Sequence, residues 1–189
     1  MLTHIHRYEG NCLMRINAVT RLGGLAAIAV WACLSLGAAS PANAAVTYQQ
    51  VVNWHSGKCL DVAGGSQAVG ARVQQYTCNG TPAQQWTQEF TGSGYFRLRV
   101  GVSGQCLTVK DASQDDNAPV VQQPCTWAYN QQWIQQTSGV IGWPFLIARH
   151  SGDGLTIQSE SLLNGARAVQ YTLDFDGPDT LHAGDWQFQ

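Results

Sequence analysis

The phrase SGKCLDV, Ser56 to Val62, is written again as SGQCLTV from Ser103 and in altered form as SGDGLTI from Ser151. Aligning the three serines gives steps of 47 and 48 residues, and other positions then fall into register. Tyr48, Tyr95 and Trp143 stand eight residues before each serine; Leu60, Leu107 and Leu155 stand four residues after it. The first two copies close with AQQW (Ala83 to Trp86) and NQQW (Asn130 to Trp133), and the third closes with GDW at Trp186 after about five extra residues. Repetition at this period marks a repeat architecture, because units too small to enclose a core bury their apolar faces against one another. Repeats spanning about 46–91, 92–138 and 139–189 should therefore meet around a shared axis. Leu60, Leu107 and Leu155, with Trp86, Trp133 and Trp186, are the expected residues of that common core.

Within each copy the pattern is that of strands. Phe96, Leu98 and Val100 alternate with Arg97 and Arg99, the period of a half-buried strand with its charges turned outward. Val73, Gln75 and Thr77 alternate with Gln74 and Tyr76 in the same way. Ser-Gly pairs, Gly64-Gly65 and Asn79-Gly80 punctuate the segments as turns. No window after Ala45 sustains an apolar 3.6-residue period, so the expected fold class is all-β, with about four short strands per repeat.

The N-terminal residues obey different rules. Arg15 and Arg21 precede an apolar run from Leu25 to Ala39, which leads to the small-residue pattern Ala42-Asn43-Ala44. This reads as a secretory signal peptide over 1–44, cleaved before Ala45, with Met14 as an alternative start. The run is short for a membrane span, and no membrane insertion is expected. From residue 45 onward the chain carries seven Lys and Arg against eleven Asp and Glu. Without a basic stripe to follow a phosphate backbone, nucleic acid is not an expected partner.

Beyond the leader, four cysteines remain. Cys59 and Cys78, then Cys106 and Cys125, are each separated by 19 positions at matching points of two repeats. In an exported chain this predicts disulfides 59 to 78 and 106 to 125, among the three pairings that four cysteines permit. Zinc is the rival use of four cysteines, but no C-x-x-C pair is present, and no metal site is expected.

The threefold C-L-D-V, V-Q-x-aromatic-x-C and Q-x-W elements resemble the ricin B-type lectin family, the β-trefoil sugar-binding modules also found attached to secreted glycoside hydrolases. The resemblance covers essentially all of the chain from Ala45 and implies a pseudo-threefold β-trefoil with up to three shallow sugar pockets, one per repeat. A neutral sugar needs an acceptor for its hydroxyl protons and a flat ring against its C–H face, and an ionised carboxylate is the strongest such acceptor.

In the first repeat Asp61 stands where the family places its hydroxyl-binding Asp, Gln74 and Tyr76 stand at the polar and stacking positions, and Asn79 matches a further polar position. Gln84, opening Q-Q-W, is expected to orient the Asp or the loop. The family often has Asn before that Gln, whereas this chain has Ala83. The second repeat has Thr108 and Gln123 at the Asp and stacking positions, although Asn130 and Gln131 keep the N-Q-x-W form and Asp111 stands three residues on. The third has Tyr171 at the stacking position but Thr156 in place of Asp, Gly154 and Leu173 at the cysteine positions, and Gly184 in place of Gln. Asp174, Asp176 and Asp179 crowd its extra loop, which lacks the length and terminal Glu of a calcium-binding EF-hand.

Catalytic residue types are present without catalytic patterns. His55 and His150 occupy equivalent turns before Ser-Gly, and no nucleophile elbow, zinc-protease helix motif or phosphate loop occurs. A glycosidase needs two carboxyls facing one bond, and the repeat encodes no partner for Asp61. The expected function is that of a secreted, non-catalytic lectin that binds glycan or polysaccharide mainly through its first repeat, needing no cofactor, alone or within an oligomer or larger secreted assembly. The alternative is a β-trefoil interaction or inhibitor protein with degenerate sugar sites, acting through loops such as Ser113 to Pro119 or Phe175 to His182.

Overall fold

The computed structural model describes residues 46–138, 142–173 and 184–189. The leader reading over 1–44, the acidic residues Asp174, Asp176 and Asp179, and His182 lie outside the described residues. Among the described residues, twelve strands fall four to a repeat. The first repeat carries β1 (Val51–Asn53), β2 (Cys59–Val62), β3 (Val73–Tyr76) and β4 (Trp86–Gly92); the second β5 (Tyr95–Val100), β6 (Cys106–Val109), β7 (Val120–Gln123) and β8 (Trp133–Gln136); the third β9 (Phe145–Ala148), β10 (Gly154–Ile157), β11 (Ala168–Tyr171) and β12 (Trp186–Phe188).

Strands β1 with β12, β4 with β5, and β8 with β9 form long antiparallel pairs, joined by the pairing Phe96↔Trp133 and by bridges Gln49↔Trp86 and Phe145↔Asp185. These contacts close a six-stranded barrel. Three hairpins, β2–β3, β6–β7 and β10–β11, cap it in one shared register, with Cys59↔Tyr76, Cys106↔Gln123 and Gly154↔Tyr171 in equivalent pairs. The all-β threefold arrangement read from the repeats, and the β-trefoil that the resemblance implies, are the fold.

The expected core residues converge as their spacing requires. Leu60, Leu107, Leu155, Trp86, Trp133 and Trp186 are all fully buried in one cluster. Each tryptophan also donates its indole N–H to the carbonyl of the leucine in its own repeat: Trp86 to Leu60 (3.0 Å), Trp133 to Leu107 (3.3 Å) and Trp186 to Leu155 (2.8 Å). The ring thus fills the core while its one polar atom is satisfied. At the Ser-Gly turns Gly57, Gly104 and Gly152 all take positive φ, 63°, 70° and 84°, which explains the glycine in every copy.

A second threefold device joins the repeats to one another. Gln75, Gln122 and Gln170 are fully buried. Each accepts from the serine of its own Ser-Gly turn, Ser56 (2.7 Å), Ser103 (2.8 Å) and Ser151 (3.1 Å). Each then donates its amide to two carbonyls of a different repeat: Gln75 to Ser161 and Leu163, Gln122 to Ser66 and Ala68, Gln170 to Ser113 and Asp115. The first repeat grips the third, the second the first, and the third the second, so the polar links form a closed circle.

The disulfides Cys59–Cys78 and Cys106–Cys125 form as the spacing predicts. In the third repeat Leu173, buried with Phe145 and Ile147, replaces the bridge. A side chain at Gly154 would overlap Leu173, and one at Gly184 would press on it, so these glycines make room for the leucine. On β5 the alternation holds, but Arg97 is not free in solvent. It pairs with Glu89 (3.0 Å), donates to the Thr126 carbonyl (2.7 Å) and lies over the Trp127 ring (4.4 Å).

Candidate functional site

Asp61 sits on β2 directly opposite Gln74 on β3. Gln74 Nε2 donates to Asp61 Oδ1 (2.8 Å), and Gln84 Nε2 donates to Oδ2 (3.2 Å). Gln74 is itself oriented by Arg72, whose guanidinium donates to its Oε1 (3.0 Å). A carboxylate offers about four acceptor positions, so each oxygen retains capacity for a further donor. Asp61 is only 6% exposed, yet it lines a cleft of about 410 Å³ together with Gln74, Tyr76, Asn79 and Pro82. Burial holds its carboxyl above the ordinary aspartate range, and the two glutamine amides act in the opposite direction.

The surrounding side chains divide into those that build and those that face outward. Gln84 is fully buried and fully used: Oε1 accepts from the Asn79 backbone (2.7 Å), and Nε2 donates to the Thr77 carbonyl (3.0 Å) as well as to Asp61. It holds the carboxylate and the following loop in place. Asn79 turns its Oδ1 into its own loop, accepting from the Thr81 amide (3.1 Å) and hydroxyl (2.8 Å). Asn79 also lines the cleft. Tyr76, 41% exposed, presents an aromatic wall at the rim. One acceptor, one aromatic face and an amide donor thus converge on one opening. No second carboxylate lines this cleft among the described residues.

The second repeat keeps this scaffold with different chemistry. Thr108 is fully buried, donates to the Cys106 carbonyl (2.8 Å) and accepts from Gln131 Nε2 (3.1 Å). Gln131 repeats the work of Gln84, also bonding Pro124 and the Thr126 amide. Asn130 Nδ2 donates to the Val109 carbonyl (2.8 Å), bracing the strand. Asp111 lies on an exposed one-turn helix, Lys110–Ala112, with φ 54°. In the third repeat Tyr171 and the buried Thr156 line a cleft of about 330 Å³ with Asn117 and Glu160. The structure brings Asp61, Gln74, Tyr76, Asn79 and Gln84 together, whereas the weaker candidates Asp111, Asn130, Gln131 and Tyr171 are spread over the other two repeats.

Comparison with known proteins agrees with this geometry. The family model described as ricin-type beta-trefoil lectin domain matches residues 47–178. Among solved structures, the designed 3-fold symmetric protein ThreeFoil is 38% identical with a TM-score of 0.69, over 75% of this chain and 96% of that one. An exo-beta-1,3-galactanase from Clostridium thermocellum is 32% identical with a TM-score of 0.69, over 75% of this chain but only 30% of that larger protein. The ricin B-like lectin of Macrolepiota procera, solved in complex with lactose, shares the fold at 16% identity, with a TM-score of 0.63 over 77% of this chain and 96% of that one. The chain belongs to the ricin-type β-trefoil lectin family.

Proposed function

We propose that the chain is a secreted, non-catalytic carbohydrate-binding protein that grips a neutral sugar through its first repeat. The observation that carries this reading is Asp61, a buried carboxylate tethered by two glutamine amides in a cleft walled by Tyr76. Two vicinal hydroxyls donate to the carboxylate, the C–H face of the ring lies against Tyr76, and Asn79 fixes orientation. Thr108 and Thr156 occupy the equivalent positions and supply no charge, which favours the first repeat over the others. Family membership supports sugar binding, and one similar lectin is solved in complex with lactose while another similar protein is an exo-β-1,3-galactanase, so galactosyl sugars are the first probes. Export is supported by the apolar run Leu25 to Ala39 and by two disulfides, which persist in oxidising compartments.

A single shallow site of this kind supplies about −4 to −5 kcal/mol, a dissociation constant near millimolar. Useful affinity then comes from clustered ligands, as in a polysaccharide or cell wall, and from oligomerisation or a partner module. The test is a glycan array and polysaccharide pull-down with wild type beside Asp61→Ala and Tyr76→Ala. Binding by wild type that both variants lose supports the reading. Equal binding by all three overturns the first-repeat assignment, and no binding to any sugar favours an interaction protein.

A further inference from the structure

A second cleft, of about 350 Å³, lies on the other side of Pro82, lined by Tyr48, Gly80, Pro82, Gln85 and Gly101. Pro82 lines both clefts, and the neighbouring residues Gly101 and Val102 line one each, so the two openings adjoin. The bridge Gln49↔Trp86 holds the residues next to Tyr48 and Gln85 against each other, which fixes both walls.

The threefold repeat provides an internal control for this cleft. The position of Gly101 is held by Arg149 in the next repeat and by Trp54 at the third junction. All three donate the backbone N–H to matching carbonyls: Gly101 to Gln85 (2.7 Å), Arg149 to Gln132 (2.8 Å) and Trp54 to Asp185 (3.0 Å). At Arg149 the space is filled, because the guanidinium lies over Tyr95 (4.5 Å) and Tyr129 (4.0 Å) and donates to Gln132 Oε1 (2.7 Å). Gln132 is further engaged by Thr91 and by the Trp127 carbonyl. The first-repeat counterparts of Tyr95, Tyr129 and Gln132 are Tyr48, Pro82 and Gln85. With glycine at 101, Tyr48 stays 46% exposed and the Gln85 side chain lacks the arginine partner that Gln132 has. Gly101 does not adopt positive φ, so its backbone does not demand glycine. A Cβ there would lie 3.2 Å from the Pro82 carbonyl and 3.3 Å from the Tyr48 ring, so any side chain at 101 would press on both walls of the cleft.

From this we infer that the Tyr48–Gly101 cleft is a second subsite, which receives the next sugar unit of a neutral glycan whose first unit occupies the Asp61 cleft. The inference rests on the sugar-binding reading of Asp61. An aromatic face beside an amide with both a donor and an acceptor is the pair a pyranose ring requires. Among the described residues no charged side chain lines the second cleft, which fits a neutral occupant. The two clefts adjoin in the repeat that alone carries the Asp.

The test titrates galactose against β-1,3-galactobiose and xylose against xylobiose, using wild type, Gly101→Arg, Tyr48→Ala and Asp61→Ala. Wild type should bind the disaccharide of one series about tenfold more tightly than its monosaccharide. Tyr48→Ala should erase that advantage and leave monosaccharide binding unchanged; Gly101→Arg, which rebuilds the Arg149 plug, should likewise erase the advantage; Asp61→Ala should abolish binding of both. Equal binding of mono- and disaccharide by wild type, or an advantage that survives in Tyr48→Ala, overturns the subsite alone. Monosaccharide binding that survives in Asp61→Ala overturns the first-pocket reading, and absence of binding in both series overturns the two together.

Discussion

Replacing Asp61 and Gln74 with the residues that the second repeat uses, Asp61→Thr with Gln74→Val, should remove sugar binding without weakening the fold. The second repeat shows that a threonine is compatible with the same scaffold, since Gln131 Nε2 reaches Thr108 Oγ1 at 3.1 Å where Gln84 reaches Asp61 at 3.2 Å. Two bonds are lost outright, from Gln74 to Asp61 (2.8 Å) and from Arg72 to Gln74 (3.0 Å); the first loses both partners together and the exposed Arg72 turns to solvent, so no buried amide is stranded. Against that loss stands the relief of a carboxylate held in a desolvated place. The net change should stay within about 1 kcal/mol of wild type, or about 3 °C in Tm for a domain of this size. Two charge-assisted bonds to sugar hydroxyls, at about 1.5–3 kcal/mol each, are lost, so affinity should fall more than about a hundredfold. Thermal melts and a sugar titration on one preparation read both quantities. A keystone role for Asp61 in the fold would instead cost about 3–5 kcal/mol, and a drop of roughly 10 °C would refute the reasoning.

Three further outcomes follow from the same structure. Because Asp61 has a folded-state pKa above the ordinary 3.8, the native state holds its proton more tightly than the unfolded chain. Its ionisation therefore costs stability as pH rises through the folded value, and that cost is relieved on acidification. Sugar binding, which uses the ionised form, should accordingly weaken at a higher pH than an ordinary aspartate would dictate, while wild type gains stability relative to Asp61→Thr; a pH series of titrations and melts checks both. Gln170→Leu leaves the Ser113 and Asp115 carbonyls without the amide that links the third repeat to the second, and should cost about 3 kcal/mol in chemical denaturation. Leu173→Ala should cost about 2–3 kcal/mol in the same assay, because the buried leucine fills the space over Gly154 and packs with Phe145 and Ile147.

Much of this architecture is legible in the sequence, because a trefoil repeats its demands. Leucine and tryptophan recur at Leu60 and Trp86 and at their counterparts because three copies fill one core, and the cysteine pairs follow from the shared hairpin register. Asp61 stands out by the same logic, as the carboxylate of SGKCLDV that both other copies replace with threonine. The inter-repeat glutamines were harder to read. Gln75 falls on the same strand face as Val73, but its partners Ser161 and Leu163 are more than eighty residues away, so no local pattern announces its burial. Polar strand residues suggest solvent until the partner loop is seen. Gly154 and Leu173 read as missing cysteines, and only packing reveals that one makes room for the other. Arg97 shows the opposite limit: alternation places it off the core face, but its burial depends on Trp127, which a neighbouring loop supplies.

Amide chemical-shift mapping on isotopically labelled protein, titrated with galactose and xylose and their disaccharides, reports directly where a sugar enters. Saturable shifts should concentrate at Asp61, Gln74, Tyr76 and Asn79, with Gln84 moving through its bond to the carboxylate, Gly101 and Val102 moving where they line the two clefts, and the surroundings of Thr108 and Thr156 unchanged. Shifts centred on Thr108 or on Thr156 and Tyr171, with Asp61 unmoved, would contradict a lectin whose working pocket is the first repeat.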